Sequence, residues 1–248
     1  MMASAFSATA LLAAVWAFLA DVDTGLMSTL RKLCVSPGAL VQRQLAKREH
    51  VFREPLRLFV FANLVFFLIA PNVGLFTFSL DSLEASNNAY PEFTTQQQIQ
   101  LEINREIYEE RFNNHLTFRQ PTFALLLVPM LALLAKLLDW RRPYGVHVMF
   151  ALYAVSWILL SWPLMLWCVD TLTRVFEWHD PEVAGLSKLV LLVGGTLQWF
   201  VRAQSGGYAR KLGPALLQGV LLTASWVAVM TAFAQVIFWL TYLLLPGN

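Results

Sequence analysis

Five long apolar stretches, separated by loops that alternate between basic and acidic, constrain this chain more than any motif does. A helix that crosses the roughly 30 Å hydrocarbon core of a bilayer needs about 20 apolar residues. Stretches that approach or exceed this length occupy residues 58–78, 121–139, 147–169, 186–203 and 214–245. Only 14% of the residues are charged, against roughly 25% in soluble domains. The sequence therefore predicts an all-α, polytopic transmembrane helix bundle of about five spans rather than a soluble enzyme.

The charges in the loops predict the orientation of this bundle. Lys and Arg collect in segment 21–57, in loop 140–146 and around the loop that ends at Lys211. The intervening loops are acidic, because residues 79–120 hold seven carboxylates and residues 170–185 hold four against one arginine. Lys and Arg are enriched in cytoplasmic loops. We therefore predict a cytoplasmic N-terminal segment and, with five spans, an extracytoplasmic C-terminus.

The composition changes near residue 54, which divides the chain into an N-terminal region, 1–54, and the transmembrane bundle, 55–248. The N-terminal region contains a further apolar stretch, 3–20, without the basic start that is typical of a signal peptide. Because this stretch is short and rich in alanine, we predict a helix that lies in the interface or beside the bundle rather than a sixth span.

An amphipathic helix is predicted over residues 37–50. Ser36 and Pro37 are residue types that favour the cap and the first position of a helix. In helical spacing the apolar residues share one face and the basic residues lie elsewhere: Leu40, Val41 and Leu45 against Arg43, Lys47 and Arg48. Such a helix suits the surface of an anionic leaflet. Ordinary charge bias of cytoplasmic loops explains the same residues, and both interpretations stay open here.

The predicted extracytoplasmic loop, residues 79–120, is expected to be helical. Over residues 96–116 apolar side chains recur at helical spacing, namely Ile99, Ile103, Ile107 and Phe112. An apolar stripe needs cover within the monomer. We therefore predict one amphipathic helix here that caps the bundle, in preference to an acidic surface for a partner.

His147 is the strongest single candidate for a functional side chain, since it begins a predicted span directly after the basic loop. A histidine at an interface can bind a headgroup phosphate, and neighbouring guanidinium groups can bind the same phosphate. A histidine bonded only to a neighbouring group is the simpler alternative. The residues of the candidate lipid-headgroup site are Arg43, Lys47, Arg48, Arg53, Arg57, Tyr144 and His147.

No catalytic motif, metal site or cofactor is predicted. The two cysteines, Cys34 and Cys168, are far apart and form no CxxC pair, so neither a disulfide framework nor a zinc site is indicated. The expected partners are the bilayer and its anionic lipids, with a membrane-protein partner or a second copy of the chain, and without nucleic acid.

Two segments resemble a bacterial family of multi-pass membrane proteins that is catalogued as a domain of unknown function. The first is DVDTGLMSTLRKLCVSPGALVQRQLAKREHVFREPLRLFVFANLVFFL, residues 21–68, with the family's acidic turn, Pro-Gly step and basic segment before the first span. The second is LLAKLLDWRRPYGVHVMFALY, residues 133–153, with its Arg-rich turn, Tyr-x-x-His and Ala-Leu-Tyr. The resemblance implies a multi-pass protein of the bacterial inner (cytoplasmic) membrane.

The sequence departs from this family pattern in two places. Members commonly begin with a cysteine-rich zinc ribbon, which is missing here, and often carry a second histidine shortly after Ala-Leu-Tyr, where this chain has Ala154-Val155-Ser156-Trp157. A paired-histidine site is therefore not predicted. The family is also loosely similar in plan to Yip-type five-span proteins, and this likeness concerns architecture alone.

Three functions remain as alternatives from the sequence. The first is a non-enzymatic scaffold or accessory subunit of a membrane complex, which suits apolar helices without a charged pathway. The second is a transporter or flippase of a lipid-like substrate. The third is a membrane enzyme that acts on lipid headgroups through His147, with Arg53 and Arg57 as phosphate clamps. We favour them in this order.

Overall fold

The computed structural model describes residues 24–46, 53–73, 79–175, 181–208 and 211–245. The apolar stretch 3–20, Lys47 and Arg48 lie outside these ranges. All regular structure within them is helical, as predicted. The nine helices are α1 (Thr24–Val35), α2 (Pro37–Ala46), α3 (Arg53–Val73), α4 (Leu80–Ser86), α5 (Tyr90–Leu101), α6 (Arg105–Leu138), α7 (Tyr144–Val175), α8 (Pro181–Gly207) and α9 (Leu212–Leu244).

Two of these helices are long and apolar enough to cross a membrane: Tyr144–Thr173 within α7, and Leu212–Leu244, which is α9. The other predicted spans fall short by this measure within the described residues. The apolar part of α6 is the shorter segment Ala124–Leu138. In α8 the uncharged stretch between Lys188 and Arg202 is shorter than the roughly 20 residues that a span needs.

Helix α7 forms the centre of the bundle. It packs against α3, α6 and α8, while α9 packs against α6 and α8 on the other side. Every residue from 149 to 159 is buried, so α7 is covered on all its faces over three turns. Aromatic rings fill the α7–α8 interface, where Trp157 stacks on Trp199 with ring centroids 5.8 Å apart.

Helix α2 packs against the end of α8, whereas α1 packs on α2 and α7. Leu40 and Val41 on α2 are buried, so the predicted apolar face exists, and protein rather than lipid covers it. A Cβ atom placed on Gly38 would lie 2.5 Å from the Cα atom of Gly206, which shows how closely the two backbones approach. The indole of Trp199 donates a buried 2.9 Å hydrogen bond to the carbonyl of Leu33 at the end of α1.

The prediction of one helix over residues 96–116 is wrong. Helix α5 ends at Leu101, because Glu102 adopts a left-handed conformation with φ 54°, and Asn104 then caps α6 through a 2.9 Å bond from the backbone N–H of Ile107. Ile99 and Ile107 of the expected stripe are exposed. Phe112 of the stripe is buried as expected, and Tyr108 and Leu116 complete the buried face. Its function as a cap on the bundle nevertheless holds, since Phe112 contacts Phe238 of α9.

Candidate functional site

The residues of the predicted headgroup site are only partly brought together. Arg43 and Arg57 are exposed, and Tyr144 is 44% exposed at the start of α7. Arg53 begins α3, but the structure does not describe its side chain, and Lys47 and Arg48 lie outside the described residues. His147 is 1% exposed, so it does not share a surface with Arg57 and Tyr144.

His147 instead belongs to the turn between α6 and α7. Its Nε2 atom lies 3.0 Å from the carbonyl oxygen of Asp139, the C-cap residue directly after α6. Because a carbonyl only accepts, Nε2 carries the hydrogen of this bond. The imidazole thus satisfies one of the carbonyl groups that a helix leaves unpaired at its end.

Charged side chains fix the same turn from outside. Lys136 donates to the carbonyl of Arg142 at 2.5 Å and also to that of Trp140. Arg142 pairs with Asp139 at 3.3 Å, and its guanidinium lies 4.3 Å from the ring centre of Tyr208 at the end of α8. The basic turn is therefore a rigid connection between α6, α7 and α8. Lys136 and Asp139 are one turn apart and close to His147 in the sequence, and this spacing could have indicated the network.

A surface groove of about 320 Å³ runs along α7, between α3 and α6. These two outer helices both pack on α7 and hardly touch each other, which leaves the space open. Tyr144, at the start of α7, donates a long 3.5 Å hydrogen bond to the carbonyl of Pro129, which lines the groove. The lining is wholly apolar: Leu56, Phe59, Leu125, Val128, Pro129, Val148 and Leu152.

An ion-pair network holds together the cap that α4, α5 and the start of α6 form on the bundle. Arg105 binds both carboxylate oxygens of Glu84, at 2.9 and 2.8 Å, and pairs with Asp81 at 2.8 Å. Thr94 donates a 2.6 Å hydrogen bond to Glu84. Burial raises the pKa of the Glu84 carboxyl, but the hydrogen bonds from Arg105 and Thr94 and the charge of Arg105 outweigh it, so the pKa lies below its usual value. The pair therefore stays ionised and stabilises the cap until the pH falls through that lowered pKa.

A second chain of hydrogen bonds lies beneath this ion pair. The hydroxyl of Tyr108 donates to Gln97 Oε1 at 2.6 Å, and Gln97 Nε2 donates to the carbonyl of Tyr242 at 3.1 Å. The side-chain amide of Gln97 thus joins α5, α6 and the end of α9. Burial raises the pKa of the Tyr108 phenol, which keeps it a neutral donor.

Sequence reasoning missed an ion pair between α7 and α8. Lys188 Nζ lies 2.6 Å from Asp170 Oδ1. Asp170 had been assigned to a loop, whereas α7 continues to Val175. Because the helix is longer than predicted, the Asp170 carboxylate lies on α7 opposite Lys188 and pairs with it.

Within the described ranges, no three His, Cys, Asp or Glu side chains are grouped closely enough to hold a metal ion. Comparison with protein-family models, curated proteins and solved structures gave no match. The resemblance to the multi-pass family therefore stays a prediction.

Proposed function

We propose that this chain is a five-span protein of the bacterial inner membrane that acts as a scaffold or accessory subunit of a membrane complex. The observation that carries the proposal is the uncovered face of α9. In its most apolar stretch only 28% of the residues are buried, against 67% in α7. Helix α9 is thus peripheral in the monomer, and one side of it is free to meet another helix.

The residues on this face are suited to helix packing. Ala224, Ala228 and Ala232 are all exposed, and their spacing of four residues places them on one side of α9. Small residues at this spacing let two helix backbones approach closely within a bilayer. Thr231 beside them is exposed and donates a 3.1 Å hydrogen bond to the carbonyl of Val227 on its own helix. Leu217, Val220 and Val227 extend the apolar surface around the alanines.

The loop charges supply the proposed orientation, which labelling of intact cells tests. In a background without Cys34 and Cys168, both of which are exposed, single cysteines replace loop residues. Cysteines at Asn88 and Asn248 should react with an impermeant reagent, whereas cysteines at Arg43, Arg142 and Arg210 should react only after lysis. Labelling at Arg142 or Arg210 in intact cells would overturn the orientation.

A second candidate function is the transport of a lipid-like substrate, which the groove along α7 favours. Its volume of about 320 Å³ falls in the range of small-molecule sites, roughly 300–1,000 Å³, and its apolar lining suits an acyl chain. We do not propose catalysis by His147, because its side chain is buried and its Nε2 atom is bonded to Asp139.

Native mass spectrometry of the gently extracted protein separates the two candidates. On the scaffold proposal the wild type retains a protein partner, or a second copy, at a fixed ratio. Ala228→Phe should lose that partner while the separated monomer stays folded, since its side chain lies outside the monomer core. Leu189→Phe on the exposed face of α8 is the matched control.

The same measurement also defines the result that would favour transport. A retained phospholipid without a protein partner, lost on filling the groove by Leu125→Trp, would favour the transport candidate. A monomeric wild type with neither companion would contradict both functions.

A further inference from the structure

A small polar cavity lies at the inner end of the bundle, between the α6–α7 turn, α8 and α9. Its volume is about 10 Å³, and its polar lining comes from Asp139, His147, Gln204, Tyr208 and Gln218. Two of these side chains are almost completely buried, His147 at 1% and Gln204 at 4% exposure. Neither His147 Nδ1 nor Gln204 Oε1 has a hydrogen-bond partner in the part of the chain that the structure describes.

The chemistry of these two atoms specifies what can lie between them. Nε2 of His147 carries the hydrogen donated to Asp139, so Nδ1 of the neutral ring is an acceptor. Gln204 Oε1 is also an acceptor, and two acceptors cannot bond to each other. Buried acceptors without a donor are strongly unfavourable, and native proteins satisfy nearly all of them. A ligand in this cavity that pairs with both atoms must supply two donor hydrogens.

The size of the cavity restricts this ligand to a very small molecule. A single water needs a cavity of roughly 10–15 Å³ measured by water-sized probes, with two to four polar partners. We propose that the cavity binds one water molecule, which donates one hydrogen to His147 Nδ1 and the other to Gln204 Oε1. The water then joins α7 to α8, and His147 acts as its positioning residue, bonded through its other nitrogen to the end of α6.

This assignment gives His147 a function that its position in the sequence did not suggest. The ring links the carbonyl of Asp139, through both of its nitrogens, to the amide of Gln204. The proposal does not depend on the scaffold function or on lipid binding, because it concerns only buried groups of a single chain.

An experimental structure of the wild-type chain, at a resolution that shows ordered water, tests the proposal directly. We expect a density peak within hydrogen-bond distance of both His147 Nδ1 and Gln204 Oε1. A cavity without density would overturn the proposal. So would a reversed amide that places Gln204 Nε2 directly on Nδ1, since that bond would make the water unnecessary.

A double-mutant cycle supplies the second measurement. His147→Gln and Gln204→Met, alone and together, are compared by melting temperature. If one water joins the two residues, the double variant should lose less than the sum of the two single shifts. Gln198→Met, at an exposed position on α8, should combine additively with His147→Gln. Additive shifts for His147 and Gln204 would contradict the shared water.

Discussion

Replacing Gly38 with alanine should destabilise the protein by about 1–3 kcal/mol, the usual range for overpacking at a well-packed contact. The added Cβ would lie 2.5 Å from the Cα atom of Gly206 and 2.6 Å from the backbone nitrogen of Gly207. Backbone atoms cannot move aside as a flexible side chain can, so α2 must shift away from α8. We expect a lower melting temperature in detergent and in lipid nanodiscs.

The matched control is Gly194→Ala on α8, where an added Cβ has no atom within 4 Å. Alanine favours a helix over glycine by roughly 0.5–1 kcal/mol, so this variant should be neutral or slightly more stable. The same substitution, glycine to alanine, is thus expected to lower the stability at residue 38 and not to lower it at residue 194. If Gly38→Ala and Gly194→Ala melt alike, the close contact of α2 with α8 does not exist in solution.

Gln97→Leu should weaken the cap formed by α4, α5 and the start of α6, by about 1–3 kcal/mol for each buried group that loses its partner. The substitution keeps the approximate size of the side chain but removes the amide. The hydroxyl of Tyr108 then has no acceptor, and the carbonyl of Tyr242 has no side-chain donor. Gln97 and Tyr108 are 2% and 0% exposed, so water cannot replace the amide without entering the cap. Thermal unfolding measures the loss.

Gln96→Leu provides the comparison, because Gln96 is the exposed neighbour on the same helix. A surface substitution of this kind should change the stability by no more than about 0.5 kcal/mol. Adding Tyr108→Phe to Gln97→Leu should restore part of the loss, since the unpaired hydroxyl is removed. A double variant whose loss equals the sum of the single losses would show that the two residues are not bonded.

The helices of the bundle were predictable because long apolar stretches have one main physical outcome. The prediction for 214–245 corresponds to a single continuous helix, Leu212–Leu244. The helix boundaries within residues 79–120 were harder to predict. Ile99, Ile103 and Ile107 have helical spacing, but Asn104 between them is a strong capping residue, and its bond to the N–H of Ile107 starts a new helix. Local capping here outweighed the apolar periodicity.

The candidate site was predictable only where the sequence itself brings residues together. The exposure of Arg43 and Arg57 follows from their charge. The burial of His147 does not, because it depends on the α6–α7 turn folding back on itself and on α8 covering the ring. The partners of the cavity, Gln204 and Gln218, are far away in the sequence, and a polar residue in an apolar helix does not reveal which helix it faces.

The bond between Trp199 and the carbonyl of Leu33 has a consequence for the order of events during synthesis. These residues are 166 positions apart. At roughly 5–20 residues per second, the ribosome needs about 10–30 s to make the intervening chain. During that time α1 and α2 exist without the surface that later buries Leu40 and Val41. Helices α1 and α2 are therefore made early but are among the last of the described helices to reach their final place.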